Sequence, residues 1–250
     1  MHKFFVPVEN FNDKEVIIDG DDVKHIYKVL RLVEGDEVII NNLQGQEYLC
    51  KLIEISKKEV RAEIIETKEG SAESPIEITL FQGLPKSSKM DLIVQKNTEL
   101  GVTHITPIIT QRVVVKADLK EYKKLDRWNR IALEACKQCK RTIIPSINEP
   151  KEFENLLNEL DNFDLVLVPY ENAENHGLKY VLTQVNKENI KKVAIIIGPE
   201  GGFEEEEIEN LKDKGCYIIT LGPRILRTET AGFTAVSLVS YELGDLGGNI

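Results

Sequence analysis

The stretch KVAIIIGPEGGFEEEE, residues 192–207, decides the fold class. It begins with an apolar, β-branched run typical of a strand, passes through a glycine-rich loop, and continues into a segment that opens with four glutamates. Carboxylates favour the first turn of a helix because they face the positive end of the helix dipole. A strand, a short loop and a helix in this order are typical of α/β proteins.

The rest of the C-terminal region repeats this alternation. Apolar runs of strand length predict further strands at 76–83, 102–109, 163–168 and 216–221. Apolar residues three and four positions apart predict helices at 88–100, 125–139 and 229–243. The pattern therefore predicts an α/β domain over residues 75–250, whose ligands should bind at the carboxyl ends of the strands.

The N-terminal region has a different pattern. The polar segment 68–75, which contains glycine, serine and proline, marks a linker. A short amphipathic helix is predicted upstream of it, at 22–31. Three β-rich runs follow the helix, at 37–41, 47–55 and 59–65. We expect residues 1–70 to form a small β-barrel-like domain with one helix.

Length and composition exclude several classes of protein. The chain has 250 residues, of which 42% are hydrophobic and 30% charged, as in a folded protein of one large or two smaller domains. Its longest apolar runs fall far short of the roughly 18 residues that span a membrane. Its N-terminus lacks the apolar core of a secretion signal. We therefore expect a cytoplasmic protein that contacts no membrane.

The cysteines and histidines do not indicate a metal site. Cys136 and Cys139 have C-x-x-C spacing, but they lie on a predicted helix and no second pair accompanies them. The four histidines show no metal-ligand spacing, and no G-x-S-x-G motif of a serine hydrolase occurs. We expect reduced thiols, no bound metal and no hydrolase chemistry.

Charge is distributed unevenly along the chain. The total is −10, which taken alone argues against a nucleic-acid partner. Residues 149–250, however, carry 9 basic and 19 acidic side chains, whereas residues 85–141 carry 13 basic and 6 acidic ones. A central basic block of net charge +7 is what a surface that faces RNA on one side would need. A solvated helix face is the alternative explanation.

The loops after the last three predicted strands are candidates for the functional site. They span 169–172, 198–203 and 221–231. The second loop is rich in glycine, but it has neither the G-x-G-x-x-G spacing nor the G-K-[ST] ending of a phosphate-binding loop. The four glutamates after it would repel a polyphosphate, so this loop favours a neutral or cationic ligand. A tight turn that merely uses glycine for its positive φ is the alternative.

The third loop carries two arginines. Arg224 and Arg227 precede Thr228 and Thr230, either of which could cap the N-terminus of the last helix. Capping does not require arginine, and guanidinium groups at the ligand edge of a sheet suit a phosphate or a base oxygen. Ordinary surface arginines remain the alternative.

Taken together, these motifs resemble a known family. The sequences GPEGG at 198–202 and LGPRILRTETA at 221–231 closely resemble the two signature loops of the RsmE family of SPOUT-class ribosomal RNA methyltransferases. Short matches upstream also resemble that family, at 25–31, 35–36, 89–91, 95–96, 99–102, 127–128 and 135–145. Two departures from its pattern are Lys140, where a small residue is expected, and the segment 110–112, which replaces a Glu-Arg pairing.

The resemblance implies a fold, a reaction and partners. It implies a PUA-like RNA-binding barrel at 1–70 and a SPOUT α/β domain with a deep trefoil knot at 75–250, assembled as a homodimer. It further implies that S-adenosyl-L-methionine is the methyl donor. The implied substrate is N3 of a uridine in 16S ribosomal RNA, presented either as naked RNA or in the 30S subunit.

The candidate site residues fall into three groups. The loops that hold the cofactor are expected to contribute Val168, Pro169, Tyr170, Gly198, Glu200, Gly201, Gly202, Leu221, Gly222, Leu226, Thr228 and Ala231. Contacts with RNA are expected from Lys3, Lys24, Lys28, Arg31, Lys89, Arg112, Arg130, Lys137 and Arg141. Arg227 is the predicted stabiliser of charge on the uracil carbonyl oxygens or an adjacent phosphate. Glu229 is the candidate base for the N3 proton.

Two other functions fit the same sequence. The chain could be a non-catalytic RNA-binding ribosome-assembly factor, in which the glycine-rich loop would be a plain turn. It could also be a related knotted methyltransferase that acts on a different atom, such as a ribose hydroxyl or a guanine nitrogen.

Overall fold

The structure is a computed structural model that describes residues 1–68, 73–86, 89–113, 124–173 and 176–248. The chain divides into two compact units. The first contains Met1–Glu73 together with Cys136–Ile144, and the second contains Ser74–Ala135 together with Pro145–Ile250. The sequence pattern alone does not indicate that residues 136–144 belong to the first unit, because this segment begins as the continuation of an amphipathic helix.

The first unit is built on a five-stranded sheet of order β1-β3-β4-β5-β2. Its strands are β1 Lys3–Phe5, β2 Glu15–Ile18, β3 Glu37–Asn41, β4 Glu47–Ile55 and β5 Val60–Lys68. Alternate residues such as Val38 and Ile40 are buried, as expected of a sheet with one face toward a core. Two irregularities in the pairing of β4 with β5 bend and twist this sheet. The runs predicted at 37–41 and 47–55 are confirmed; β1 and β2 were not predicted.

The predicted helix at 22–31 is only partly regular. An α-helix, α1, covers Asp21–Lys24 and continues as a wider π-helical turn over His25–Leu30. The turn ends at Arg31, whose φ of 56° is left-handed. Apolar spacing cannot distinguish the two helix types here, because Val23 and Ile26 are buried in either case.

Residues 136–144 are anchored within the first unit by the carboxylate of Glu73. It accepts hydrogen bonds from the guanidinium of Arg141 at 2.6 and 3.0 Å and from the backbone N–H groups of Thr142 and Ile143 at 2.7 and 3.0 Å. Arg141 is 3% exposed. Burial by itself raises the pKa of Glu73, but the bonds from Arg141 and the two amides outweigh it and hold the pKa below its usual value.

The second unit contains a seven-stranded parallel sheet. Its strands are β6 Glu77–Gly83, β7 His104–Ile109, β8 Ser146–Ile147, β9 Lys151–Glu152, β10 Leu165–Pro169, β11 Lys192–Ile197 and β12 Tyr217–Ile219. Their order is β12-β10-β11-β6-β7-β8, and β9 pairs with β7. Together with the sheet of the first unit, this arrangement confirms the predicted β-rich N-terminal region and the predicted C-terminal α/β domain; the trefoil knot stays a prediction.

Six helices connect the described strands of the second unit or follow them. They are α2 Lys89–Glu99, α3 Leu125–Cys139, α4 Phe153–Leu157, α5 Leu178–Gln184, α6 Glu205–Asp213 and α7 Thr228–Leu243. The central strands are buried on both faces; Ile195 and Ile196, which point to opposite faces, are both fully enclosed. Within the described residues, no helix has the length and apolar character needed to cross a membrane.

Candidate active site

The three candidate loops meet because β12, β10 and β11 are neighbours in a parallel sheet, so their carboxyl ends share one edge. Two adjoining cavities of about 570 and 400 Å³ open there. Residues that border both cavities come from the loop after β10 and the loop after β12. They are Pro169, Glu171, Ile225, Leu226 and Ala231. The crevice predicted from the order of strands and loops is therefore present.

Two positions at this edge require glycine, for different reasons. A Cβ atom placed on Gly83, the last residue of β6, would lie 2.3 Å from the backbone nitrogen of Pro199. Gly202 has a φ of 71°, and a Cβ atom there would lie 2.7 Å from a carboxylate oxygen of Glu171. Gly83 therefore lets the glycine-rich loop approach the end of β6, whereas Gly202 supplies the left-handed backbone of its turn.

Thr228 joins two of the loops. Its buried hydroxyl donates to the carbonyl oxygen of Gly198 at 2.6 Å and accepts from Nε2 of Gln82 at 2.8 Å. The prediction that Thr228 or Thr230 caps the last helix is wrong: α7 begins at Thr228, the capping position is Arg227, and no side chain caps it. Gln82, inside β6, was missed because its role depends on a residue 146 positions away.

The four glutamates after the glycine-rich loop have different roles. Glu207 is buried, and its carboxylate accepts from the backbone N–H groups of Gln111 at 2.9 Å and Glu204 at 2.8 Å. Glu204 binds the guanidinium of Arg112 at 2.7 and 2.8 Å, and this pairing lowers the pKa of Glu204. The four carboxylates are therefore not all free to repel a ligand, as the sequence had suggested. Two of them anchor α6 to residues 111–112.

Lys89 lies inside the smaller cavity. Its ammonium is 3.2 Å from Oε1 of Glu200 and 3.3 Å from Oε2 of Glu229. Partial burial alone lowers the pKa of Lys89, but the two carboxylates outweigh it, so the pKa lies above its usual value. Burial likewise tends to raise the pKa of Glu200, and hydrogen bonds from the backbone and from Lys89 bring it below its usual value.

Most of the predicted cofactor residues line the two cavities. Those that do are Pro169, Tyr170, Gly198, Glu200, Gly202, Leu221, Gly222, Leu226, Thr228 and Ala231. Val168 is buried beneath the crevice in β10, and Gly201 is exposed beside Arg112. Sequence reasoning missed Glu171 and Ile225, which border both cavities. Position in the candidate loops was the only signal for either residue.

The two predicted catalytic residues differ in exposure, and of the two only Arg227 borders one of these cavities. Arg227 borders the smaller cavity and is exposed. Glu229 follows in the first turn of α7; its side chain is 13% exposed, and its Oε2 atom is fully buried. Arg224 borders the larger cavity on the same loop.

The predicted RNA contacts differ in exposure. Lys24, Lys28 and Arg31 are exposed around the π-helical turn of the first unit, and Arg130 is exposed on α3. The other side chains are less accessible. Lys3 forms an ion pair with Glu47, Lys137 is half-buried, Lys89 and Arg112 bind glutamates of the second unit, and Arg141 is buried against Glu73. Arg141 therefore does not face solvent, contrary to its prediction as an RNA contact.

Comparison with protein-family models decides the family. Residues 72–240 match the RNA methyltransferase domain. The chain belongs to this family. Residues 18–65 match the RNA methyltransferase PUA domain, which identifies the sheet of the first unit. The resemblance found in the sequence is confirmed.

Individual relatives extend over nearly the whole chain. Ribosomal RNA small subunit methyltransferase E of Bacillus subtilis is 36% identical over 97% of each chain, and that of Aquifex aeolicus is 36% identical over 96% of this chain and 99% of its own. The Neisseria gonorrhoeae methyltransferase E, solved with S-adenosyl methionine, matches with a TM-score of 0.83 at 30% identity, covering 98% of this chain and 99% of its own. A Legionella pneumophila methyltransferase solved with the same cofactor matches with a TM-score of 0.82 at 34% identity over 98% of both chains.

The crevice suits a cofactor of that kind. Three carboxylates, those of Glu171, Glu200 and Glu229, lie at or beside it, together with three cations, Lys89, Arg224 and Arg227. S-adenosylmethionine carries a sulfonium, an ammonium and a carboxylate and has no phosphate, so its net charge is positive. The carboxylates suit the sulfonium and the ammonium of this molecule, and the cations suit its carboxylate. Within the described ranges, no cluster of three or more side chains could hold a metal ion.

Proposed function

We propose that the protein transfers a methyl group from S-adenosylmethionine to N3 of a uridine in the 16S RNA of the small ribosomal subunit. The observation that carries the proposal is the pair of cavities at the shared edge of β10, β11 and β12. Their volumes are typical of small-molecule sites. The names of the relatives support both the donor and the RNA substrate. The reaction then belongs in the cytoplasm, where ribosomal RNA is found.

The two cavities suit the two parts of the donor. The larger one is bordered mainly by apolar residues and backbone of the third loop, such as Leu221, Leu226 and Ala231, which suits an adenosine group. The smaller one is bordered by Glu171, Glu200 and Lys89, which suits the charged methionine part. When bound, S-adenosylmethionine supplies an electrophilic methyl group on its sulfonium.

The residues of the chain orient the uracil and handle its proton. N3 of uridine carries a proton that must leave, and the resulting negative charge spreads over the two adjacent carbonyl oxygens. Arg227, exposed at the mouth of the smaller cavity, is placed to stabilise that charge with its guanidinium. Glu229, in the first turn of α7, accepts the proton in this proposal. Thr228 keeps the two loops together, so the reacting groups stay in attack geometry.

RNA is held mainly by the first unit. Lys24, Lys28 and Arg31 form an exposed basic cluster around the π-helical turn. Val29, 66% exposed between them, offers an apolar surface for a base or a ribose. Such a cluster neutralises phosphates wherever it faces the RNA, even though the whole chain is acidic. Arg130 and Lys137 on α3 are further proposed RNA contacts.

The protein acts as a homodimer in this proposal, with a knotted second unit as the family resemblance implies. Helix α7 is apolar on most sides, which is typical of a helix that is covered on more than one face. Yet Leu238 is 40% and Tyr241 65% exposed, and Leu92 on the adjacent α2 is 44% exposed. A second copy seated on these side chains would remove them from water. Sedimentation of the wild-type protein beside a Leu238→Asp, Tyr241→Asp variant tests this; a monomeric wild type would contradict it.

Mass spectrometry of nucleosides tests the reaction. The purified protein is incubated with S-adenosylmethionine and either naked 16S RNA or 30S subunits, and the RNA is digested to nucleosides. We expect 3-methyluridine to accumulate. A methyl group on a ribose or on guanine would favour the related enzyme, and no methyl transfer together with no heat of cofactor binding would favour the non-catalytic assembly factor.

A further inference from the structure

Lys89 bridges two loops that are far apart in sequence. It is the first residue of α2, and its ammonium lies between Glu200 of the glycine-rich loop and Glu229 of α7, 3.2 and 3.3 Å from their oxygens. Its side chain is 30% exposed, whereas that of Glu229 is 13% exposed. One cation thus lies between two carboxylates at the wall of the smaller cavity.

This geometry argues against a primary role for Lys89 in binding RNA. A phosphate would have to draw the ammonium away from two carboxylates that it already contacts, and both would then be left without their cation. Partly buried carboxylates that lose their partner repel one another and change position or protonation. The ammonium of Lys89 is therefore better placed to pair with Glu200 and Glu229 than to bind a phosphate.

We propose that Lys89 is a positioning residue for methyl transfer, which holds the carboxylate of Glu229 against the glycine-rich loop in the orientation that accepts the uridine proton. The inference rests on the proposed role of Glu229. Without Lys89, repulsion from Glu200 turns the Glu229 side chain away from the uracil. Lys89 itself touches neither the proton nor the transferred methyl group.

A double-mutant cycle measures whether Lys89 acts through Glu229. Single-turnover methylation of 16S RNA is measured at saturating RNA and donor for the wild type, Lys89→Met, Glu229→Gln and the double variant. We expect each single variant to lose about 100-fold or more in rate, as for the loss of a general base. The double variant should be no more than about threefold slower than Glu229→Gln, because Lys89 cannot help to position a base that has already been removed.

Two further variants separate positioning from folding and from RNA binding. Lys89→Arg keeps a cation that reaches both carboxylates and should restore the rate to within about tenfold of the wild type. Lys96→Met removes a lysine that pairs with Glu99 about two turns along the same helix, and should leave the rate unchanged. The affinity of Lys89→Met for RNA should equal that of the wild type at every salt concentration.

The results distinguish this inference from the proposed function. If the rate losses of Lys89→Met and Glu229→Gln multiplied in the double variant, the two residues would act independently, and the inference would be overturned. A Lys89→Met variant that binds RNA more weakly but reacts normally at saturating RNA would also overturn it. Full activity of Glu229→Gln would also overturn it while leaving the methyltransferase function intact. Failure of the wild type to methylate RNA would instead remove the proposed function itself.

Discussion

At the scale of single residues, a contact that joins two loops involves a side chain to which the sequence pattern assigns a different role. A threonine at the start of a helix indicates an N-cap, yet the hydroxyl of Thr228 is used between Gly198 and Gln82. The local signal is genuine, but a buried hydroxyl bonds to whatever tertiary partners surround it. Those partners lie 30 and 146 positions away, and no local pattern contains them.

Thr228→Val should weaken the binding of the methyl donor. Valine has nearly the same shape, so the substitution removes the hydroxyl, which takes this donor from the Gly198 carbonyl and leaves the Gln82 amide with its bond to the Gly83 carbonyl alone. We expect about 1–2 kcal/mol less stability and roughly tenfold weaker binding of S-adenosylmethionine, measured by urea unfolding and by calorimetry. Thr230→Val, which alters an exposed neighbour, is the matched control. Equal donor affinity in the two variants would show that the loops do not depend on this hydroxyl.

At the scale of secondary-structure elements, periodicity predicts most of the regular structure. The strands at 37–41, 47–55 and 192–197 and the helix at 125–139 have the predicted bounds, because long apolar patterns specify them strongly. The short strands β1 and β2 were missed, since three or four residues hold too little pattern. The π-helical turn at His25–Leu30 was missed because its apolar positions also fit an α-helix.

Lys140, just after α3, departs from the family pattern and lowers the stability of the protein. Lys140, which stands where a small residue is expected, has a φ of 64° just after the last helical residue. Left-handed backbone disfavours any side chain with a Cβ atom, and glycine is the usual residue at this position. Lys140→Gly should therefore stabilise the protein by about 1 kcal/mol in urea unfolding. Lys137→Gly, inside the same helix, should destabilise it by a similar amount; the same sign for both would contradict this account.

Anchoring of residues 136–144 by Glu73 should depend on pH. Because the folded-state pKa of Glu73 is below its unfolded value, its ionised form stabilises the fold above the unfolded pKa of about 4.3. That stabilisation is lost as the pH falls through the folded-state pKa. Glu73→Gln leaves the buried Arg141 without its carboxylate, so we expect a loss of about 3 kcal/mol at pH 7.

Urea unfolding of the wild type and Glu73→Gln at several pH values checks this expectation. The difference between their free energies of unfolding should shrink as the pH is lowered below about 4.3. Glu66→Gln removes an exposed carboxylate that pairs with Lys68, and it should change stability little at any pH. A difference for Glu73→Gln that stays constant from neutral to acid pH would show that its charge is not what anchors the segment.

At the scale of the whole molecule, the sequence predicted that three loops meet at one sheet edge, but it could not predict which basic side chains are accessible. The three loops were found because a parallel sheet brings the carboxyl ends of neighbouring strands to one edge, a rule that needs only strand order. A side chain's accessibility depends on its tertiary partners, and so Arg141 and Lys89 were assigned to RNA although both contact glutamates. Charge summed over a block of sequence cannot separate a paired cation from an exposed one.

That distinction leads to a prediction for RNA binding. The net charge of −10 suggests that binding should weaken little with salt, but only cations that face the RNA release counterions. The exposed cluster of Lys24, Lys28 and Arg31 should therefore give a steep fall of log affinity with log salt concentration. Lys28→Met should reduce that slope by about one unit. Lys179→Met makes the same change of charge at an exposed site in the acidic C-terminal region and should leave the slope unaltered. Equal slopes for the wild type and both variants would show that Lys28 does not contact the RNA.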